Sequence, residues 1–499
     1  MPYILLQNAT ILVPSGKADD YVVPLRHHSL LIKDNKIAQI APQIISPEGA
    51  QVIDCTNKII SPGFIDTHHH LWQTQLKGRH ANQSLLEFLP SGNAQAVNYS
   101  PQDVFWGVLG GCLEALDAGT TTVVDHANIT VSPAHSSNNL EATVASGLRS
   151  VFCFGPIMRV KTWKPEVTSE GGLLDEWVIE TFEKLGASAP FGNGRVQLGL
   201  AFDGFMLPKE KVVSLYEQAR RLGTKVITSH YAQSYFGNSP LVNKLEDYGL
   251  LGPDVLLSHA TNLSTADIER LNKARASISS TPDTELQMGH GDIVCFREGC
   301  FGISSLGIDC HSNNSGDMVS QMRLALQHER SSRNNKIIAE GMSTLSLSLF
   351  VQDAFALGTI KGARAIQMED KLGSIKVGKL ADLVIFDGNS PGMICATEED
   401  PVAAIVLHSS VRDIDTVIVD GEIRKQDGNL LPTTINPSLP DVTIPQQTVG
   451  WSQVARELVS SRENIENARK ESNADDSEFL TRKFMKLMHL DEAKFVKMS

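Results

Sequence analysis

Beyond residue 70 the chain repeats one device: an amphipathic helical stretch, a glycine or polar stop, then a short β-rich run ending on a polar or small residue. A helical pattern over 101–118 stops at Gly119 and feeds TTTVVDHAN, another near 140–147 feeds LRSVFCFGP, and one near 174–185 precedes VQLGLAFDG. The stretch 209–222 stops at Gly223 before KVITSHYAQ, 240–248 leads to VLLSHATNLS, and 264–274 leads to SISSTPD. CFGISSLGIDCHSNN then gives an apolar run ending at Asp309, followed by a long helix from Met318. With the run before His68, that makes about eight β/α units, the count of a (β/α)8 TIM barrel whose chemistry sits at the strand carboxyl ends. The expected fold class is therefore α/β.

The chain ends read differently. Residues 3–13, 28–41 and 51–60 look like short strands, with a turn at Asp34-Asn35, and strands return after Leu372 in GSIKVGKLADLVIFDG, AAIVLHS and DTVIVDGEIR. Two sheet fragments flanking a barrel are expected to pair into one small β-sandwich. The expected division is 1–60 and 371–432 for its two halves, 61–370 for the barrel, and 433–499 for a linker and a helical tail. At 499 residues the chain exceeds what one hydrophobic core serves, which suits one large unit with a smaller one.

The run SPGFIDTHHHLWQT, residues 61–74, opens the barrel pattern and places Asp66, His68, His69 and His70 where a buried strand surfaces. On a strand, alternate side chains share a face, so His68 and His70 point one way and His69 the other. Two imidazoles so spaced can share a cation such as zinc, iron or nickel, although three adjacent histidines are also what a polar loop looks like. A cation needs further ligands. Asked what each β-rich run delivers at its end, the sequence answers Asp125-His126, Asp203, His230, His259 and Asp309. Singly, His230 or His259 could be a core histidine and Asp309 a turn or cap. Together, His68, His70, His230 and Asp309 offer three nitrogens and an oxygen to one divalent cation, with a place left for water.

Composition narrows the partners. Net charge is −13 with no long basic block, which argues against nucleic acid and for a small-molecule substrate. Seven cysteines are scattered without CxxC pairs, as expected of a reduced, cytoplasmic protein in which they pack. The amino terminus has no basic region followed by a long apolar core, no stretch approaches the roughly 18 apolar residues of a membrane span, and the terminal KMS is not a peroxisomal address.

The order GFIDTHHH, SH at 229–230, SHA at 258–260 and GIDCHSNNSGD at 307–317 resembles the amidohydrolase superfamily. It is closest in kind to the aminohydrolase branch of cytosine, guanine, 8-oxoguanine and methylthioadenosine deaminases and triazine hydrolases. LGSIKVGKLADLVIFD and DIDTVIVDGEIR carry the same likeness over roughly residues 3–425, and HHHLWQT is especially similar to the 8-oxoguanine and isoxanthopterin deaminase type. The resemblance implies that His68 and His70 ligate from the first strand, His230 from the fifth and Asp309 from the eighth. Asp309 would also take a proton from the attacking water, and His259 would bond the substrate or that water. Members with two metals often bridge them through a lysine after the fourth strand. VQLGLAFDG has none, so one ion is expected, zinc in the first instance and iron in the second. Homodimers or larger assemblies are common in the branch.

One position departs from it. Deaminases of the branch usually carry His-x-x-Glu after the fifth strand, where this chain has His230-Tyr231-Ala232-Gln233. Gln233 donates and accepts hydrogen bonds but transfers no proton at neutral pH. Three alternatives follow: His290 or His311 serves as acid, or the leaving group needs none, or the scaffold runs a lyase, decarboxylase or isomerase reaction. Beside the ligands, Trp72 and Gln73 could wall and read a flat ring, with Gln233 and His290 also on the substrate side; packing in the barrel is the other reading of Trp72, and His126, His290 and His311 could equally be supporting loop histidines. The expected activity is a mononuclear metal-dependent hydrolysis of a C–N bond in an N-heterocyclic or amide small molecule.

Overall fold

A computed structural model describes residues 3–16, 19–232, 240–472, 474, 477–487 and 490–496. Eight parallel strands follow one another in chain order: Phe64–His69, Thr120–Thr130, Arg149–Pro156, Val196–Ala201, Ile227–Ala232, Val255–Thr261, Ser277–Ser280 and Ser304–Leu306. They read as near-continuous apolar runs because helices cover the outside while side chains fill the inside. The first and eighth strands close the barrel through an isolated parallel bridge between His69 and Asp309. Asp309 N–H donates to His68 O at 2.8 Å and His70 N–H donates to Asp309 O at 3.0 Å. Gly307 makes this closure possible: a Cβ there would stand 2.8 Å from His68 O.

The helices start where their caps dictate. Ser100 and Ser264 accept from the N–H of Asp103 and Asp267 in reciprocal capping boxes that open Pro101–Asp117 and Thr265–Ala274. The second barrel helix is longer than expected, Pro133–Ser146, because Pro133 is preset for the first helical position.

Strands from both chain ends pair in one nine-stranded sheet. Leu383–Asp387 runs antiparallel to Lys58–Pro62, joining Ile414–Val419 and Glu422–Gln426 to the long amino-terminal strand Tyr3–Pro14. The expected strand over 51–60 is two strands, Gln51–Asp54 and Lys58–Pro62. Asp54 Oδ1 accepts the N–H of Thr56, and Asn57 adopts φ +60°, a side-chain-anchored turn between them. Arg149, at the start of the third barrel strand, ties barrel to sheet: it bonds buried Asp382 at 2.7 and 3.0 Å and half-buried Asp420 at 2.8 Å. Over 433–449, Thr433–Ile435 pairs with Gln447–Val449, and the tail forms helices Trp451–Glu471 and Ser477–Leu487. Val454, Leu458 and Ile465 bury the first of these, and Phe484 of the second stacks near Trp163, in the loop after the third barrel strand.

Candidate active site

The closing seam brings His68 and His70, from the first strand, against Asp309, just past the eighth. His68 Nε2 lies 3.1 Å and His70 Nε2 3.3 Å from Asp309 Oδ1. From the fifth strand His230 presents Nε2 3.2 Å from His70 Nε2. One donor atom each of His68, His230, His259 and Asp309 lies within 4.8 Å of the others. The four residues read from the sequence as ligands therefore meet at one place, with His259 beside them.

The remaining nitrogens decide what that place can hold. His70 Nδ1 is 2.9 Å from the carbonyl oxygen of His126, which only accepts, so the ring hydrogen sits on Nδ1 and Nε2 is a bare lone pair. His230 Nδ1 donates to Asp203 Oδ2 at 2.8 Å, leaving its Nε2 bare as well. Two such nitrogens 3.2 Å apart need a hydrogen or a metal cation between them. His68 Nδ1 pairs with Ser258 Oγ at 2.8 Å, which orients its Nε2 toward Asp309. Burial holds His68 neutral, well below the usual imidazole range. Burial also opposes charge on His230, but Asp203 outweighs it and raises that ring. The Asp309 carboxyl, which burial alone would raise, is held well below the carboxylate range by His68 and His70. Three oriented imidazole nitrogens and one ionised carboxylate fit a divalent cation in donor type, number and charge.

His69 faces away, as strand alternation dictates. Its Nδ1 meets Asp66 Oδ2 at 2.7 Å and its Nε2 meets His311 Nδ1 at 2.7 Å. Asp66 Oδ1 accepts the N–H groups of His68 and Ile308, bracing both sides of the seam. His311 continues to Thr74, behind the ligand strand rather than among the ligands. Asp125 accepts the Leu71 N–H. The Trp72 ring is fully buried in the apolar core, with Nε1 donating to Asn128. Gln73 is engaged at both ends of its amide, by Ser312 and Asn93. His290 lies against His259, ring centres 4.6 Å apart. Gln233 lies outside the described residues. Among the cluster's described members, His230 and Asp203 reach solvent, their side chains 25% and 45% exposed.

One group went unread in the sequence. Glu285, in the short helix Pro282–Gln287 after the seventh strand, is buried 3.8 Å from His259. The strand SISS, residues 277–280, has no histidine or aspartate at its tip, so the carboxyl of Glu285 beyond it gave no signal of its own.

The profile of the amidohydrolase family matches residues 59–424. The chain belongs to the amidohydrolase family. Curated relatives include a 5'-deoxyadenosine deaminase of Methanobrevibacter smithii, 29% identical over 81% of this chain and 89% of that protein. A 5-methylthioadenosine/S-adenosylhomocysteine deaminase of Thermococcus kodakarensis is 28% identical over 79% and 88%. Among solved structures, a zinc-bound adenosine deaminase from Xanthomonas campestris shares the fold at TM-score 0.74 and 18% identity, over 93% of this chain and 98% of that one. Atrazine chlorohydrolase from Arthrobacter aurescens TC1, complexed with zinc, does so at 0.71 and 19%, over 92% and 100%. This amidohydrolase is a metal-dependent hydrolase of C–N bonds, and the lyase or isomerase alternative is not favoured. No helix among its described residues is long and apolar enough to cross a membrane.

Proposed function

We propose that this amidohydrolase removes ammonia from an amino-substituted N-heterocycle, with adenine nucleosides modified at the 5' position as the first substrates to test. The observation that carries the reading is the meeting of the inward Nε2 atoms of His68, His70 and His230 with ionised Asp309, the Nδ1 of each of these three rings being already engaged. The names of the curated relatives support the substrate class.

His68, His70, His230 and Asp309 would hold one ion, and this donor set favours zinc, with iron as the competitor. A divalent cation there supplies Lewis acidity, enough to bring the pKa of water from 15.7 to about 7. The Asp309 carboxylate accepts the proton of the attacking water and passes it on toward the leaving nitrogen. His259 donates a hydrogen bond to the charge that develops as the ring carbon becomes tetrahedral. Asp203 keeps His230 turned inward. We place the protein in the cytoplasm, in keeping with its free cysteines, and expect a homodimer or larger assembly.

The test is ammonia release, with zinc or iron loaded and metal content measured, from 5'-deoxyadenosine, 5'-methylthioadenosine, adenosine, guanine, 8-oxoguanine, a pterin, cytosine and an aminotriazine. Turnover of a 5'-modified nucleoside is the expected result. Silence across the panel from fully loaded enzyme refutes deamination.

A further inference from the structure

Behind His259 stands a pair of buried polar residues that the proposed hydrolysis does not use. Thr281 follows the seventh strand, and Glu285 is one turn further along. The Thr281 Oγ1 lies 2.8 Å from His259 Nδ1 and 3.5 Å from Glu285 Oε1. Glu285 Oε1 accepts the Thr281 N–H at 2.7 Å, and its other oxygen, Oε2, is buried without a hydrogen-bond partner among the described residues. The backbone around His259 is equally fixed: His259 and Ala260 both take positive φ, +67° and +54°.

We propose that Thr281 and Glu285 are positioning residues that keep the hydrogen of the His259 ring on Nε2, making His259 a hydrogen-bond donor toward the substrate. This rests on the hydrolytic reading above and assigns the group that supports its donor.

The Thr281 hydroxyl has one hydrogen and two acceptors. Given to His259 Nδ1, it forces the ring hydrogen onto Nε2; given to Glu285 Oε1, it lets Nδ1–H donate back to Thr281 and leaves Nε2 bare. Geometry favours the first, 2.8 Å against 3.5 Å, because Oε1 is already occupied by the Thr281 amide. A carboxylate would still compete strongly for that hydrogen, since bonds to charged acceptors are roughly twice as strong. Burial, and after it the charge of Asp309, weaken that competition by pushing the Glu285 carboxyl well above the usual range, toward its neutral form. The titratable groups facing the pair are His259, Asp309 and Cys295, with His290 against the far side of the His259 ring.

The experiment uses zinc-loaded protein labelled with 15N-histidine, the His259 imidazole signals being assigned by their loss in His259→Gln. The wild type, Thr281→Ser and Glu285→Gln are expected to show the Nε2–H signature, and Thr281→Val to lose it. With 5'-deoxyadenosine, Thr281→Val should lower kcat about 10- to 100-fold, with KM within about threefold, and Thr281→Ser should recover most of the loss. An Nδ1–H signature in the wild type overturns the proposal, as does a Thr281→Val protein with unchanged tautomer and unchanged kcat. If 5'-deoxyadenosine is not a substrate, the nitrogen signals decide the tautomer alone, so failure of the substrate class and failure of this inference stay distinguishable.

Discussion

Asp203→Ala should loosen the metal without unfolding the barrel. Asp203 makes two bonds to His230, Oδ1 accepting the backbone N–H at 2.8 Å and Oδ2 accepting Nδ1–H at 2.8 Å. Only the second orients the ligand. A hydrogen bond to a charged group contributes about 1.5–3 kcal/mol. The Asp203 side chain is 45% exposed, and solvent screening takes roughly half of that value. What remains, about 0.75–1.5 kcal/mol, corresponds to a Kd for zinc raised roughly 4- to 12-fold. The same figure sits at the lower edge of the roughly 10- to 100-fold range for outer partners of metal ligands. A competitive titration against a chromogenic chelator reads it directly, with circular dichroism of the apoprotein as the control for folding. An unchanged Kd would mean that His230 is not held by Asp203 in any way that matters to the ion. A wild type that binds two equivalents, one of them lost in the variant, would instead make Asp203 a ligand in its own right, through its contact with His126.

Two further outcomes follow from the geometry. Asp309→Asn should reduce turnover by about 1,000-fold or more, since the amide accepts no proton; Asp309 sits at φ +64°, which asparagine tolerates, so folding should be spared, and retained activity would remove the base from the scheme. His80 is buried between Ser312 and the Ser91 carbonyl, and burial lowers its pKa from 6.5 to about 4. The folded state thus binds fewer protons than the unfolded chain between those values, and stability should fall by about 3 kcal/mol as pH drops from above 6.5 to below 4. Denaturant unfolding of His80→Gln across that range should show a correspondingly flatter profile, and a slope equal to the wild type's would refute the assignment.

The barrel was legible because strands buried on both sides write themselves as apolar runs, and because its chemistry gathers at strand tips. Reading the last polar residue of each run therefore named His68, His70, His230 and Asp309, side chains that the fold brings together. What escaped was set by contacts between elements distant in sequence. Gln73 closely follows His70, yet both ends of its amide are engaged by Ser312 and Asn93, while the Trp72 ring packs, as its sequence also allowed, with its N–H on Asn128. Glu285 lies in a helix rather than at a strand tip, and its meaning depends on Thr281 and His259 being folded against it. The break at Asn57 was hidden for the opposite reason, being wholly local: a single left-handed residue interrupts an otherwise strand-like run.

The seam between the first and eighth strands carries a consequence for biogenesis. His68 and Asp309 are 241 positions apart, and the small sheet is completed by segments made later still. A nascent or truncated polypeptide holds the paired imidazoles of its first strand long before Asp309 exists. With the ligand set proposed above, tight metal capture is postponed until the last strand docks, and uptake of the ion can report, in a refolding experiment, the instant the cylinder shuts.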